Sequence, residues 1–490
     1  MSNLSGLIKK LRDIMRNDSG ISGDAQRIEQ ISWLFFLKIY DARESDWELN
    51  DNFKSIIPER FRWRNWAKPD KDGKSITGEK LLNLVNNEIF PALKNLPVDT
   101  NTPINQSIVK TVFEEMNQYM KDGVLLRQVI NEVDGVDFNS YEEIKDFSEI
   151  YEIFLKELQS AGSAGEFYTP RAVTYFIAEK INPQIGEVCA DLACGTGGFL
   201  TSWLKVLEPT IKTSDDRKKF ESSIYGIDKK QFPYTLCVTN MFLHGIDNPE
   251  VYHKNSLESN ILDVTEDEKF DVIMMNPPYG GNEKEGISKG FPKDIRSSET
   301  ADLFMNVIMY NLKIGGRAAV ILPDGFLFGT EGAKFIIKSY LLKNFNLHTV
   351  IRLPGSVFAP YTSITTNILF FERTGATKDI WFYRLDMPEG YKNFSKTNPM
   401  LREHFKPVDE WWDNRAEIQD ANETWKSKKF SAEEILANGC NLDLCGYPTE
   451  GKIILSPEDT MRNFINRRNE LDRVIDKKIS EIRALLEVRG

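Results

Sequence analysis

The residues that build metal centres and disulfide frameworks are scarce in this sequence, with five cysteines and four histidines among 490 residues. Cys189, Cys194, Cys237, Cys440 and Cys445 form no CxxC pair and are odd in number, which argues against a disulfide scaffold and a tetrahedral zinc site and predicts reduced, mostly buried thiols. His244, His253, His348 and His404 stand singly, so no metal is expected. No run approaches the roughly 20 apolar residues of a membrane helix, and the stretch from Met1 to Lys10 lacks the apolar core and cleavage site of an export signal. The expected location is the cytoplasm, with no membrane partner. Positive charge is also short, because 62 Lys and Arg face 73 Asp and Glu for a net charge of -11. A protein that holds DNA alone usually offers enough cations to displace the counterions condensed on phosphates. Here either the cations gather on one face or another chain supplies most of any such affinity.

What is present is globular in character, at 41% hydrophobic and 28% charged, and long enough for two or three domains. Residues 1–160 carry apolar positions at helical spacing, as in Ile28, Ile31, Leu34, Phe35, Leu37 and Ile39 and again in Ile150, Ile153, Phe154 and Leu155, and predict an α-helical domain. Trp63 to Gly78 is rich in breakers and charge and reads as an exposed loop within it. The turn Ser160 to Gly165 supplies a flexible boundary. Over 161–390 short apolar runs alternate with helical stretches, the pattern of a mostly parallel sheet covered on both faces. Strands are expected at Val188 to Ala193, Ile224 to Ile227, Phe270 to Met275, Arg317 to Leu322, His348 to Leu353 and Thr365 to Phe371. The last two are joined only through Pro354 to Pro360, too little chain for a helical crossover, so they form an antiparallel pair at the end of the sheet.

The predicted class is thus an α/β, doubly wound, Rossmann-like sheet with an antiparallel strand pair at one end, preceded by a helical domain. Residues 391–455 form an irregular polar and aromatic extension containing Trp411, Trp412 and Trp425. Residues 456–490 form a charged helical tail in which Phe464, Leu471, Ile475, Ile479, Ile482 and Leu486 recur three, four or seven residues apart. That tail has two readings of equal weight: packing on its own catalytic domain, or docking a partner.

Three loops carry chemistry. Asp191 to Phe199 follows a strand and opens a helix, placing Gly195, Thr196, Gly197 and Gly198 where open α/β sheets bind ligands. Glycine permits positive φ and close backbone approach. No Gly-Lys-Ser/Thr follows, which disfavours a phosphate-binding Walker loop. Asp228 ends the next strand, the place for a carboxylate that accepts hydrogen bonds from both hydroxyls of a ribose. Asn255 and Ser256 either face the base of such a nucleoside or simply end a polar strand. In the third loop an apolar strand runs into Asn276-Pro277-Pro278-Tyr279. Methylating an exocyclic amine requires a nitrogen lone pair freed from ring conjugation, which acceptors on its two N–H groups promote. The Asn276 side-chain oxygen and the Pro277 carbonyl can be those acceptors, and Tyr279 can stack on the base.

The Asn276 to Tyr279 loop resembles motif IV of the N6-adenine and N4-cytosine DNA methyltransferases, and Asp191 to Phe199 resembles their motif I. Gly165-Glu166-Phe167-Tyr168-Thr169-Pro170-Arg171 is similar to motif X, and its place before motif I gives the γ-class order. With the helical front, Gly316 to Gly325 and Val350 to Gly355, the resemblance narrows to the modification subunits of type I restriction-modification systems. It implies an S-adenosylmethionine-dependent, adenine-specific DNA methyltransferase. By the same resemblance Glu166, Phe167, Tyr168, Thr169, Pro170, Arg171, Asp191, Gly195, Thr196, Gly197, Gly198 and Asp228 bind the cofactor with Asn255 and Ser256, while Asn276, Pro277, Pro278 and Tyr279 grip an adenine rotated out of DNA. It further implies a separate sequence-specificity subunit, a restriction subunit with endonuclease and translocase functions, and two copies of this chain per specificity subunit. The alternatives are a stand-alone N4-cytosine or N6-adenine DNA enzyme, a protein-glutamine methyltransferase, and a DNA clamp that has lost catalysis.

Overall fold

Helix Asp24–Trp47 is apolar around most of its circumference and is accordingly buried along most of its length. Phe35 meets Phe147 and Phe154 edge-on, at 5.0 and 5.6 Å between centroids. Phe36 and Tyr40 reach Phe242, which belongs to helix Gln231–Leu243 of the following domain. The helical front therefore shares one apolar core with the sheet domain, a cluster running from Leu7 to Trp411. The computed structural model describes residues 5–136, 147–148, 151–156, 168–279, 281, 285–395, 397–420, 423–446 and paired or single positions between 461 and 479. The predicted turn from Ser160 to Gly165 lies outside them.

The sheet domain contains β1 (Cys189–Asp191), β2 (Ile224–Asp228), β3 (Val251–His253), β4 (Phe270–Met275), β5 (Leu312–Pro323), β6 (Asn346–Arg352), β7 (Thr366–Glu372), β8 (Asp379–Arg384), β9 (Ile418–Gln419) and β10 (Trp425–Ser431). Their order is β3-β2-β1-β4-β5-β7-β6-β8-β10-β9. β3, β2, β1, β4 and β5 are mutually parallel, and β7 lies antiparallel to both β5 and β6. Two antiparallel steps return β6 to the direction of β5, so β1, β2, β4, β5 and β6 all present their carboxyl ends at one edge. This is the edge where open α/β sheets bind ligands.

Two stretches differ from expectation. Trp63 and Trp66, expected in an exposed loop, are buried in a short helix, Trp63–Trp66. Their indole N–H groups donate to Asp134 Oδ1 at 2.9 Å and to the Phe61 carbonyl at 3.0 Å, so burial leaves neither unsatisfied. The extension expected to be irregular holds helix Lys406–Asp413, β10 and helix Ala432–Ala437, and β10 joins β8 to carry the sheet beyond the β6–β7 pair. β10 reads Trp-Lys-Ser-Lys-Lys-Phe-Ser. A half-exposed strand near a sheet edge needs no apolar run, and edge lysines discourage further pairing.

The segment Tyr447–Gly490 belongs to a second compact unit. Its described residues, among them Phe464, Ile475 and Ile479, are helical and exposed, while Leu471, Ile482 and Leu486 lie outside the described residues. All five cysteines are buried. Among the described residues no helix is long and apolar enough to cross a membrane.

Candidate active site

β1 delivers Asp191 to the carboxyl edge, where burial pushes its carboxyl well above the ordinary range and the nearby Asp228 carboxylate adds to the rise. The chain then turns through Gly195 and Gly197, at φ 54° and 77°, before helix Gly198–Leu207 begins. Both angles lie in the left-handed region that favours glycine. The Gly195 N–H donates to Asp228 Oδ2 at 2.9 Å, and the Lys230 N–H donates to Oδ1 at 2.8 Å. Burial raises Asp228 to about 6 even though these two bonds pull the other way. Each carboxylate oxygen retains a second lone pair for a hydroxyl donor.

β4 presents the second half of the site. Asn276 Nδ2 donates to Thr169 Oγ1 at 3.2 Å, which couples the segment before β1 to the loop after β4. The Tyr279 hydroxyl donates to Asn276 Oδ1. Burial drives the Tyr279 phenol well above its ordinary value, so it stays a neutral donor. Its ring meets Phe358 edge-on at 6.3 Å and 86°.

One cavity of about 250 Å³ is bounded by both halves. It is lined by Tyr168, Thr169, Asp191, Gly195, Thr196, Gly198, Asp228, Asn255, Ser256 and the whole run Asn276, Pro277, Pro278 and Tyr279. Glu166 and Phe167 lie outside the described residues. Gly197 sits behind the lining, where any Cβ would crowd Cys237 Sγ. Pro170 and Arg171 also stand off it, and border a neighbouring recess. Ser256 donates its hydroxyl to the Leu192 carbonyl at 2.6 Å and so fastens the end of β3 to the end of β1. Asn255 Oδ1 accepts from the Leu257 N–H at 3.1 Å.

Sequence reasoning missed Phe304, Phe358, Tyr361, Lys229 and Lys230, which also line the cavity. Phe358 and Tyr361 did leave a signal, two aromatics in or just after the proline-rich link that follows the carboxyl end of β6.

This arrangement joins a nucleoside-sized glycine turn with a strand-end carboxylate to an amide and an aromatic ring. Comparison with known proteins identifies the family that carries it. Residues 142–453 match the N-6 DNA Methylase family, and residues 4–133 match the HsdM N-terminal domain. The chain is 47% identical to the methylase subunit of the type I restriction enzyme EcoEI of Escherichia coli, over 96% of this chain and 95% of that protein. The chain belongs to the type I restriction methylase subunits. Two solved structures share the fold over most of the chain. A modification subunit of a candidate type I restriction enzyme from Vibrio vulnificus YJ016 superposes with a TM-score of 0.76 at 41% identity, covering 88% of this chain and 92% of that one. A chain from a structural study of type I restriction-modification complex assembly gives 0.80 at 35% identity, covering 100% and 99%. The helical front followed by the mixed sheet is thus the architecture of these methylase subunits.

Proposed function

We propose that this methylase subunit transfers the methyl group of S-adenosylmethionine to the exocyclic N6 of an adenine rotated out of duplex DNA. The observation that carries the reading is the single cavity that holds both the Gly195–Asp228 side and the Asn276–Tyr279 side. The residues present suit that cofactor: Asp228 has a lone pair free on each oxygen for the ribose hydroxyls, the positive-φ turn opens the backbone to the ligand, and Asn255 and Ser256 border the same space. When bound, S-adenosylmethionine supplies an electrophilic methyl on a sulfonium.

The chain's own contribution is orientation and hydrogen bonding. Asn276 Oδ1 and the Pro277 carbonyl accept from the two N6–H groups and free the nitrogen lone pair for in-line attack. Held by Asp228 and the Gly195–Gly198 turn, the cofactor would supply that methyl to N6. N6 then loses one proton to water, while Asn276 Oδ1 and the Pro277 carbonyl remain hydrogen-bond acceptors. Tyr279 stacks on the base, and no bond forms between substrate and protein. Extruding a base from the duplex costs a few kcal/mol, so flanking DNA has to be gripped elsewhere.

That grip is assigned to a separate sequence-specificity subunit, shared by two copies of this chain and joined by a restriction subunit, all acting in the cytoplasm on the genome. The acidic balance of the chain supports the assignment, as do the exposed apolar positions Met461, Phe464, Ile465, Ile475 and Ile479 on the tail, which serve as the docking helix. The test is to co-express the chain with its genomic neighbours, isolate the complex and map N6-methyladenine in the host DNA. Methylation at one recognition sequence that requires the second subunit is the expected result. Sequence-specific methylation by the isolated chain would remove the partner from the account.

A further inference from the structure

The Arg171 guanidinium is a joint between three parts of the chain. Its Nε and Nη2 donate to the two oxygens of Glu152 at 2.6 and 3.0 Å, and Nη2 also reaches Thr196 Oγ1 at 3.3 Å. Glu152 lies in the helical segment at 151–156, outside every motif named above, whereas Thr196 sits in the glycine turn and lines the cavity. Asn240, fully buried in helix Gln231–Leu243, donates from Nδ2 to the Thr196 carbonyl at 3.0 Å and stands 3.5 Å from Glu152 Oε1. The side chain and the main-chain carbonyl of Thr196 are therefore both held by one cluster, and Glu152 is the anion at its centre. Burial works against the Arg171 charge, but Glu152, together with Tyr168 and Cys237, holds the guanidinium above its ordinary value.

The cluster is also built tightly against the turn. A Cβ at position 198 would collide with Arg171 Nη1, so Gly198 makes room for the guanidinium rather than for an unusual backbone angle. Nη1 itself is buried without a hydrogen-bond partner among the described residues. A bidentate, charge-assisted pair fixes direction as well as distance, which a single contact does not.

We propose that Glu152 is a positioning residue for the cofactor turn: acting through Arg171, it sets the place of Thr196 and thereby the fit of the cavity to S-adenosylmethionine. This rests on the cofactor reading above. Glu152 touches neither cofactor nor base, so its removal changes cofactor affinity through Thr196.

The experiment titrates the full chain with S-adenosylmethionine by calorimetry, with a thermal melt for each variant. Glu152→Gln is expected to weaken binding about tenfold, and Thr196→Val by a similar factor, each near 1.4 kcal/mol. The double variant should lose about tenfold rather than a hundredfold, because both changes break one bridge. Asp247→Asn is the control, since Arg43 of the front domain pairs with Asp247 after helix Gln231–Leu243 and neither lines the cavity. It should leave affinity within about twofold.

Unchanged affinity in Glu152→Gln, additive losses in the double variant, or an equal loss in Asp247→Asn would overturn the proposal. If Glu152→Gln does not fold, Thr196→Val binding as tightly as wild type overturns it alone. Failure of the wild-type chain to bind S-adenosylmethionine would instead sink the cofactor reading.

Discussion

The Tyr279 hydroxyl donates its hydrogen to Asn276 Oδ1, the oxygen proposed above to accept from an incoming amino group. In this arrangement the base displaces an internal donor before it is gripped. Tyr279→Phe removes the competitor and keeps the ring, so turnover should stay within about fivefold of wild type. Tyr279→Ala removes the stacking surface, worth roughly 1–3 kcal/mol per base, and should lower kcat/KM by about 10- to 100-fold. Single-turnover methylation by the assembled complex checks both. Equal losses in the two variants would mean that the hydroxyl, not the ring, carries the role.

Asn276→Ala removes the side-chain acceptor but leaves the Pro277 carbonyl. Loss of one preorganised hydrogen-bonding group of this kind costs about 100- to 1,000-fold in turnover. The cofactor affinity of the variant should match that of wild type, because Asn276 stands at the other side of the cavity from Asp228. Calorimetry and turnover measured on the same preparation separate the two effects.

Asp228 predicts a pH dependence. Burial raises its carboxyl from an ordinary 3.8 to about 6, so the folded chain holds this proton more tightly than the unfolded chain. Its contribution to stability is fully present below about pH 4 and is lost as pH rises from about 4 to about 6, a cost of about 3 kcal/mol at pH 7. The drop in melting temperature attributable to this window should be smaller in Asp228→Asn than in wild type. Ribose hydroxyls bind best to the ionised carboxylate, so cofactor affinity should rise through pH 6 in wild type and stay flat in the variant. A flat wild-type profile between pH 5 and pH 7 would contradict the ribose assignment.

Gly198→Ala tests the close packing of Arg171 on the helix start. The backbone at 198 tolerates alanine, but the added methyl meets the guanidinium. Overpacking of this kind costs about 1–3 kcal/mol, visible as a lower melting temperature. The double variant Gly198→Ala, Arg171→Ala should recover part of that loss.

Docking through the tail makes its own prediction. Phe464→Asp, Ile475→Asp and Ile479→Asp together put charge on exposed apolar positions and should abolish co-purification with the specificity subunit while leaving cofactor binding intact. Retention of the complex would leave those positions without that role.

Much of this was legible in the sequence, for reasons that particular residues make plain. Phe270 to Met275 was bounded correctly because a strand with neighbours on both sides and covered faces is apolar along its buried part, here Val272 to Met275. Asn276 and Asp228 were legible because Asn276 directly follows β4 and Asp228 ends β2. β8 and β10 were not, since Asp379 to Arg384 begins charged and β10 is mostly polar. Trp63 and Trp66 were hidden by the charged residues around them. Glu152 and Asn240 left no local signal at all, because a polar residue on a helix declares its partner only once distant helices meet.

The segment holding Phe147 and residues 151–156 has a consequence for anyone recombining these subunits. Phe147 and Phe154 pack on Phe35, the Tyr151 hydroxyl donates to the Leu236 carbonyl at 3.1 Å, and Glu152 grips Arg171. The same few residues sit in the core that the helical front and the sheet domain share, and also hold the guanidinium that braces the glycine turn. A chimera spliced at the small-residue stretch near residue 160 would thus part Tyr151 from Leu236 and Glu152 from Arg171. A junction placed ahead of residue 147 keeps Glu152 with Arg171 but parts Phe147 and Phe154 from Phe35, while the contacts of Phe36 and Tyr40 with Phe242 cross either cut.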